Sequence, residues 1–425
     1  MIIAIIGGGG REYGIAKRLS EDPRVERIIA IPGNGGMEEF CECVPIKAVD
    51  IDGICEYAGK NRIDFCVVTP DDPLAMGLAD RLREMGIPCF GPSKAAARIE
   101  ASKIFSKQLM EKYGIPTARA DSFDSRAFAT LYLANANYPV VIKADGLALG
   151  KGVFICQNHE EAVDALKSLM DNRMFGKSGE RVLIEKFMEG PEVSVLSFTD
   201  GKTVVPMVAS MDHKTIGEGG TGLNTGGMGV IAPNPFYTKE IADECMERIF
   251  IPTIRAMEAE GCPFKGCLYF GLMLTDDGPK VIEYNCRFGD PEAQTILPLM
   301  KSNLLDAMLA TENGTLSETP VEFSDEAACC VVLASGGYPE SYAKDIPILL
   351  GIPDDDTMIV HAGTKKTDKG YVTAGGRVIN VISKADTIEK AVERAYSETK
   401  KVYFDRMYMR RDIGKTAIDH IKKGL

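Results

Sequence analysis

In the run Val281-Ile282-Glu283-Tyr284-Asn285-Cys286-Arg287-Phe288-Gly289-Asp290-Pro291-Glu292, a strand-like stretch turns polar at every second position. Alternate residues of an extended strand share a face, so Glu283, Asn285 and Arg287 are predicted to project together while Ile282, Tyr284 and Cys286 point the other way. A carboxylate, an amide oxygen and a guanidinium on one face suit a hard cation held through oxygen while the arginine clamps an anion. The same residues also suit a salt-bridged strand edge followed by a Gly-Asp-Pro turn. Neighbouring chemistry has to decide between the two.

Two further segments bear on that choice. Ala144-Asp145-Gly146-Leu147-Ala148-Leu149-Gly150-Lys151-Gly152-Val153 is a glycine-rich, lysine-bearing connection between apolar runs. It lacks the Walker spacing, because only three residues separate Gly146 from Gly150 and Gly152 stands where Ser or Thr would hold a metal. A strand-loop-strand lid over a triphosphate fits better, with Lys143 reaching phosphate oxygens as a point charge; a merely mobile hairpin fits too. Val182-Leu183-Ile184-Glu185-Lys186-Phe187-Met188-Glu189-Gly190-Pro191-Glu192 is an apolar strand with a polar end. It reads as a hinge whose backbone meets an adenine edge, followed by an acid for ribose hydroxyls, or as an ordinary exposed strand end.

The order of lysine-glycine lid, hinge with acid, then Glu-x-Asn resembles the ATP-grasp superfamily. With Asp212-His213-Lys214, Gly222-Leu223-Asn224-Thr225-Gly226-Gly227-Met228-Gly229 and the opening run included, the chain resembles the phosphoribosylamine–glycine ligase family nearly end to end. Gly9-Gly10-Arg11-Glu12, Phe90-Gly91-Pro92, His361-Ala362-Gly363-Thr364 and Gly375-Gly376-Arg377 extend the likeness. The resemblance implies ATP-dependent joining of glycine to 5-phosphoribosylamine through a glycyl phosphate, in purine synthesis, with ATP as co-substrate and Mg2+ or Mn2+ as metal. The alternative is an ATP-grasp carboxylate–amine ligase with another amino acid or amine.

By the same resemblance, Glu283 and Asn285 hold the metal, and Lys107, Lys143, Gly150, Lys151 and Gly152 hold ATP phosphates. Glu185, Lys186, Phe187 and Met188 meet adenine, and Glu192 meets ribose. Arg287, Lys214 and Asp290 act on the acyl phosphate. Gly9, Gly10, Arg11, Asp212, Asn224, Thr225, Gly226, Gly227, Met228 and Gly229 join Arg287 and Asp290 in binding substrate. Several positions depart from the family pattern: Tyr13 stands for a usual histidine, Thr69-Pro70-Asp71 with Asp72 for Gly-Pro-Glu, Leu223 for proline, and Thr215 for arginine. Several of these are expected on loops facing glycine or the sugar phosphate; neutral drift is the favoured reading and a changed amine or acid the other, which leaves substrate identity more open than reaction class.

The elements that must position these groups follow from the apolar pattern. Strand-like and helical stretches alternate over residues 1 to about 92, which predicts an open, mostly parallel α/β sheet with Gly7-Gly8-Gly9-Gly10 at a strand end. That run lacks the dinucleotide spacing and serves either a phosphate at a helix N-terminus or a tight turn alone. One long helix is expected from Ser93 to Gly114, with Lys107 on an exposed-looking face. A compact α/β lid follows over 117–190, then longer antiparallel strands at Glu192 to Phe198 with Val204 to Met211, and Cys267 to Leu274 with Lys280 to Asn285. The fold class expected is multidomain α/β and α+β: a Rossmann-like pre-ATP-grasp domain over 1–102, a two-subdomain ATP-grasp fold over 103–325 and a small C-terminal α/β domain over 326–425.

Bulk properties agree with a soluble enzyme. The 425 residues carry a formal charge of −12 with a pI near 5.1, which argues against a nucleic-acid partner and leaves small-molecule substrates. The twelve cysteines contain no C-x-x-C pair. Zinc at Cys41-x-Cys43 with Cys329-Cys330 is one reading, and buried thiols in a reducing cytoplasm are the favoured one. The opening apolar run is too short for a signal peptide or a membrane span, so the expectation is a cytoplasmic monomer or weak dimer with no membrane partner.

Overall fold

A computed structural model describes residues 1–147, 152–172, 174 and 176–424 of the chain. The N-terminal sheet is wholly parallel in the order β3-β2-β1-β4-β5, with β1 Ile2–Gly7, β2 Arg27–Pro32, β3 Glu42–Cys43, β4 Phe65–Val68 and β5 Cys89–Phe90. Every residue of β1 is buried, as expected for a parallel strand covered on both faces. The chain leaves β1 toward β2 on one side and reaches β4 on the other, so the end of β1 is the switch point of the sheet. There Gly10 starts the helix Gly10–Ser20. A Cβ on Gly10 would sit 2.2 Å from Asn380 Nδ2, so only glycine lets this helix start abut the C-terminal sheet.

The expected helix from Ser93 to Gly114 is two helices, Lys94–Ala101 and Lys103–Lys112. Ser102 breaks it in an extended conformation (φ −137°, ψ 108°). Its hydroxyl caps the second helix by accepting the Phe105 N–H at 3.1 Å and donates to Asp145 Oδ1 at 2.9 Å. A capping serine is worth more here than one more helical residue, because it satisfies an orphan donor.

The lid strands β6 Ala120–Phe123, β7 Val140–Ala144, β8 Val153–Cys156 and β9 Val182–Lys186 form an antiparallel sheet in the order β6-β9-β7-β8. β7 and β8 pair directly, Lys143 opposite Val153, so the glycine-rich segment joins two strands rather than a strand and a helix. The lid packs on its own cluster of Ala129, Leu133, Ile142, Leu166, Leu169 and Ile184. The central sheet has the order β11-β10-β14-β15, antiparallel throughout, with β10 Glu192–Asp200, β11 Val204–Pro206, β14 Lys265–Thr275 and β15 Gly278–Asn285. Val195 and Phe270 share one core with Ile6 of β1, and Phe198 and Phe288 share another with Ile5, so central and N-terminal sheets are packed as one body.

The expected single strand from Val204 to Met211 is not continuous. Val204–Pro206 pairs with β10, whereas β12 Met211–Asp212 pairs with β13 Gly229–Ala232. β13 in turn pairs with β16 Ala327–Ser335, and the same sheet continues through Arg377–Ala385 to Thr357–His361. The segment joining β12 to β13 is therefore mounted on the C-terminal sheet. Ten of the twelve cysteines are buried and all are free thiols. No described helix is long and apolar enough to cross a membrane.

Candidate active site

A cavity of about 1090 Å³ opens where the lid, the central sheet, the end of the N-terminal sheet and the C-terminal sheet meet. β15 runs along its floor, with Glu283, Asn285 and Arg287 in its wall and Cys286 and Phe288 buried behind. A bulge opposite Gly271–Leu272 inserts Ile282 as an extra residue. Tyr284 is buried against Phe270, so the alternation expected of a strand holds from Glu283 onward.

Arg287 is held by a residue the sequence reading did not single out. Its Nη2 donates to Glu100 Oε1 at 3.0 Å and to Asn285 Oδ1 at 3.1 Å, and Glu100 Oε2 accepts the Cys286 N–H at 2.7 Å. Burial pushes the Glu100 carboxyl up even against the adjacent guanidinium. Glu283 behaves oppositely. Burial opposes its charge, but Lys214, Lys143, Lys103 and Arg287 hold its pKa below the usual value, so it remains a carboxylate. Glu283 and Asn285 thus offer hard oxygen donors on one face. Among the described residues no three acidic, histidine or cysteine side chains cluster as a complete metal cage. Such a partial set suits Mg2+, which completes its octahedron with water and phosphate oxygens.

At the lid end, Lys107 is not on an exposed face as its sequence position implied: it is 4% exposed. Its ammonium meets Glu185 Oε1 at 2.9 Å, Thr117 Oγ1 at 2.8 Å and the Ala118 carbonyl at 2.9 Å. An ammonium has three protons, and these acceptors take all of them. Lys143 meets Glu185 Oε2 at 2.7 Å and the Ile282 carbonyl at 2.9 Å. The Glu185 carboxylate is thus a buried counter-ion bridging two lysines, while the residue also lines the cavity. Burial would raise its pKa, but Lys143 and Lys107 bring it below the usual value. Lys103, missed in the sequence, lines the cavity with its Nζ on the Gly146 carbonyl at 2.6 Å. Burial lowers its pKa while Glu283 opposes that shift. Lys186, Phe187, Met188, Glu192 and Gly152 also line the cavity. Gly150 and Lys151 lie outside the described residues.

At the other end, Lys214 Nζ lies 3.4 Å from Glu192 and 3.9 Å from Glu283. Burial opposes its charge, yet Glu192, Tyr269 and Glu283 push its pKa well above the ordinary value. Asp212 shows the reverse. Burial and then the Glu292 carboxylate drive its pKa far up, and its Oδ1 is buried without a partner. Arg287 Nε is likewise buried and unpaired. Buried polar atoms are normally satisfied, so these two are places for a ligand to bond. Asp290 lies between Gln294 Nε2 (2.8 Å to Oδ1) and Arg377 Nη2 (3.4 Å). Burial would protonate it, but Arg377 and Arg11 keep its pKa below the usual value.

Arg11, Asn224, Thr225 and Gly226 also line the cavity, whereas Gly9, Gly10, Gly227, Met228 and Gly229 are not among its lining residues. The Gly9 N–H, a candidate phosphate donor by sequence, is taken by Glu12 Oε2 at 2.6 Å. Met228 is fully buried, its N–H on the His213 carbonyl. Of the positions that depart from the family pattern, Asp71 and Thr215 line the cavity. Tyr13 instead stacks on His361, with centroids 5.9 Å apart, and meets Phe40 edge-on, while Leu223 is 54% exposed. Arg377, Tyr338, Glu292 and Arg410 line the cavity too. Arg377 was visible only as part of a glycine-rich motif, and nothing local to Arg410 marked it.

Comparison with known proteins extends this geometry. The chain matches "Phosphoribosylglycinamide synthetase, N domain" over residues 1–100, the "ATP-grasp (A) domain" of the same family over 101–293 and its "C domain" over 328–416. It is 46% identical to the phosphoribosylamine–glycine ligase of Caldanaerobacter subterraneus subsp. tengcongensis, covering 97% of this chain and 99% of that one. It is 44% identical to a bifunctional purine biosynthetic protein of Pichia angusta, covering 98% of this chain and 54% of that one. The crystal structure of the phosphoribosylamine–glycine ligase of Thermotoga maritima superposes with a TM-score of 0.85 at 32% identity, covering 97% of this chain and 100% of that one. The biotin carboxylase domain of the Hydrogenobacter thermophilus 2-oxoglutarate carboxylase, solved with MgADP, ADP and bicarbonate, shares the fold alone: TM-score 0.74, 16% identity, 96% and 91% covered.

Proposed function

The chain belongs to the phosphoribosylglycinamide synthetase family, and from that premise we propose that it joins glycine to 5-phosphoribosylamine at the expense of ATP. The products are glycinamide ribonucleotide, ADP and phosphate, in purine biosynthesis. The observation that carries this reading is one cavity in which Glu283 and Asn285 on a strand, and Arg287 just past its end, line the wall together with lysines at the base of a glycine-rich lid. A glycine carboxylate oxygen attacks the γ-phosphorus and ADP leaves, giving glycyl phosphate. The phosphoribosylamine nitrogen then attacks the carbonyl carbon, loses a proton, and expels phosphate. No side-chain nucleophile is needed, so catalysis is positioning and charge stabilisation.

We assign the residues accordingly. Lys143 and Lys103 reach the phosphates with the lid loop that includes Gly150, Lys151 and Gly152, while Lys107 braces Glu185 rather than touching ATP. Lys186, Phe187 and Met188 face adenine, and Glu192 faces ribose. Glu283 and Asn285 would hold Mg2+ or Mn2+, which when bound neutralises charge on the phosphate oxygens. Arg287, with its unpaired Nε, grips the acyl phosphate; Lys214, Asp290, Arg11, Asp212 and the 224–226 segment hold glycine and the amine. The lid, about 117–190, closes over ATP. Burial of free thiols supports a reducing, cytoplasmic setting, and the protein works as a monomer or weak dimer.

The test is phosphate release with ATP, Mg2+, phosphoribosylamine and a panel of small amino acids, using glycine labelled with 18O in its carboxylate. Release should require both glycine and the amine, and one label should appear in phosphate. Turnover without preference for glycine would overturn the substrate, and unlabelled phosphate would overturn the acyl phosphate.

A further inference from the structure

The segment between β12 and β13 carries Lys214, Asn224 and Thr225 to the cavity, and it is short of apolar anchors: Glu218, Gly219, Gly220, Thr221, Gly222 and Leu223 are all exposed. Its internal bonds are those of a small hairpin, with Ile216 N–H on the Leu223 carbonyl at 2.9 Å and Thr225 N–H on the Lys214 carbonyl at 2.8 Å. Such a loop, left alone, would sample many shapes. What holds it comes from the far end of the chain. Arg410, 4% exposed, donates through Nη1 to the Thr215 carbonyl and to Thr215 Oγ1, both at 3.1 Å. Its Nε and Nη2 grip Asp412 in a two-pronged pair, each at 2.8 Å. Asp412 Oδ2 in turn accepts the Gly219 N–H at 2.7 Å.

The bonds on either side act on the same loop. Tyr408 donates its hydroxyl to the Ile216 carbonyl at 2.8 Å, and the Arg411 N–H meets Glu218 at 3.2 Å. The Gly414 N–H reaches His213 Nε2 at 3.1 Å. The other end of the loop is closed by Arg377, whose Nη1 donates to the Gly226 carbonyl at 2.7 Å. We propose that residues 408–414 form a clasp that sets the shape of the acceptor loop, with Arg410 as the positioning residue that keeps Lys214 and Asn224 aimed at the reacting carbonyl. Although Arg410 borders the cavity, its guanidinium bonds run to Thr215 and Asp412, so it acts through Thr215 and, via Asp412, through Gly219. A guanidinium suits this task, because one planar group can serve a carbonyl, a hydroxyl and a carboxylate at once. The proposal rests on the reading of this loop as the acceptor side of the ligase.

The experiment compares Arg410→Ala, Arg410→Lys and Tyr408→Phe with the parent enzyme in KM for glycine and phosphoribosylamine, ADP affinity by calorimetry, and cleavage after Glu218 by a glutamyl endopeptidase. Misaiming by about an ångström costs roughly a hundredfold, so Arg410→Ala is expected to raise the KM of glycine or phosphoribosylamine at least tenfold while ADP affinity stays within twofold. Arg410→Lys should recover only part of this, and cleavage at Glu218 should quicken in the same order. Tyr408→Phe, which removes one bond of a partly exposed side chain, keeps the test open should Arg410→Ala fail to fold; its cleavage should rise modestly. Unchanged KM values and cleavage in folded variants, or a parallel loss of ADP affinity, would overturn the clasp. A parent enzyme with no glycine- and amine-dependent phosphate release would instead overturn the function, and cleavage would still decide the clasp.

Discussion

The nucleotide end of the cavity is walled by a four-stranded sheet with a hydrophobic cluster of its own, around Ile142, Leu169 and Ile184. Its ties to the rest of the molecule include a set of polar ones: Glu185 to Lys107, Lys143 to the Ile282 carbonyl, Asp145 to Ser102, and Gly146 to Lys103. The acceptor end is built the other way. Its loop springs from β12 and β13, which are strands of the C-terminal sheet, and is then pinned by Arg377, Arg410, Asp412 and Tyr408. An element that owns its core can swing without tearing apolar contacts, whereas one stitched to a second sheet is fixed before substrate arrives. Under the proposed assignment, this contrast would pair a lid able to admit ATP with an acceptor site that needs little reorganisation.

Breaking the lid joint should give the largest effect. Glu185→Ala strands two buried ammonium groups, and removing one partner of a buried ion set costs about 3–5 kcal/mol. Limited proteolysis should then cut within 117–190 first, and adding ATP should partly protect it, since phosphates replace the lost carboxylate beside Lys143. Loss of the whole fold in one step, with no preferential cleavage of the lid, would contradict the contrast between the two ends.

Acid should act on the acceptor end before the nucleotide end. His213 donates Nδ1–H to the Gly229 carbonyl at 3.1 Å and accepts from Gly414 N–H through Nε2, so it must be neutral. Burial, then Arg410, bring its pKa from 6.5 down to about 4. A group with a depressed folded pKa stabilises the protein above its unfolded value and loses that contribution as pH falls toward the folded one. Stability should therefore drop between pH 6.5 and 4, by on the order of 3 kcal/mol for this residue. His361, also buried to a pKa of about 4, adds its own share in the same window. Denaturant melts of the parent and His213→Gln from pH 7 to 4 test this; an equal pH slope in both would remove His213 from the account. The Asp412 carboxyl resists longer: burial opposes its charge, but hydrogen bonds from Arg410 and Gly219 hold it at about 2.

The smallest change expected is at Ser102, between the two helices Lys94–Ala101 and Lys103–Lys112. Ser102→Ala removes a helix cap and the Asp145 bond, costing about 1 kcal/mol. Denaturant melts should register that loss with KM for glycine unaltered; a shift in glycine KM would mean that the two ends are coupled.

Much of this was legible along the chain. Period-2 alternation correctly placed Glu283, Asn285 and Arg287 on one face, because a strand's pleat is local. The spacing of Gly146, Gly150 and Gly152 favoured a strand over a helix after the loop, and β8 does follow it. The wholly apolar β1 announced a parallel sheet. Lys107 was not legible, since a helix position shows its face but not whether another element covers it with Glu185. The break at Ser102 was hidden for a similar reason: its hydroxyl also serves Asp145, a distant partner.

The sequence by itself determined the strand chemistry of β15, the lid hairpin and the reaction family, because each depends on residue types at short, regular spacing. Only the tertiary structure decided which lysines keep free protons, that Glu100 holds Arg287, and that β12 and β13 join the C-terminal sheet so that Arg410 can grip Thr215. Those outcomes depend on which distant groups share a small buried volume. There, an unpaired charge or backbone group is costly enough to select its partner across the whole fold.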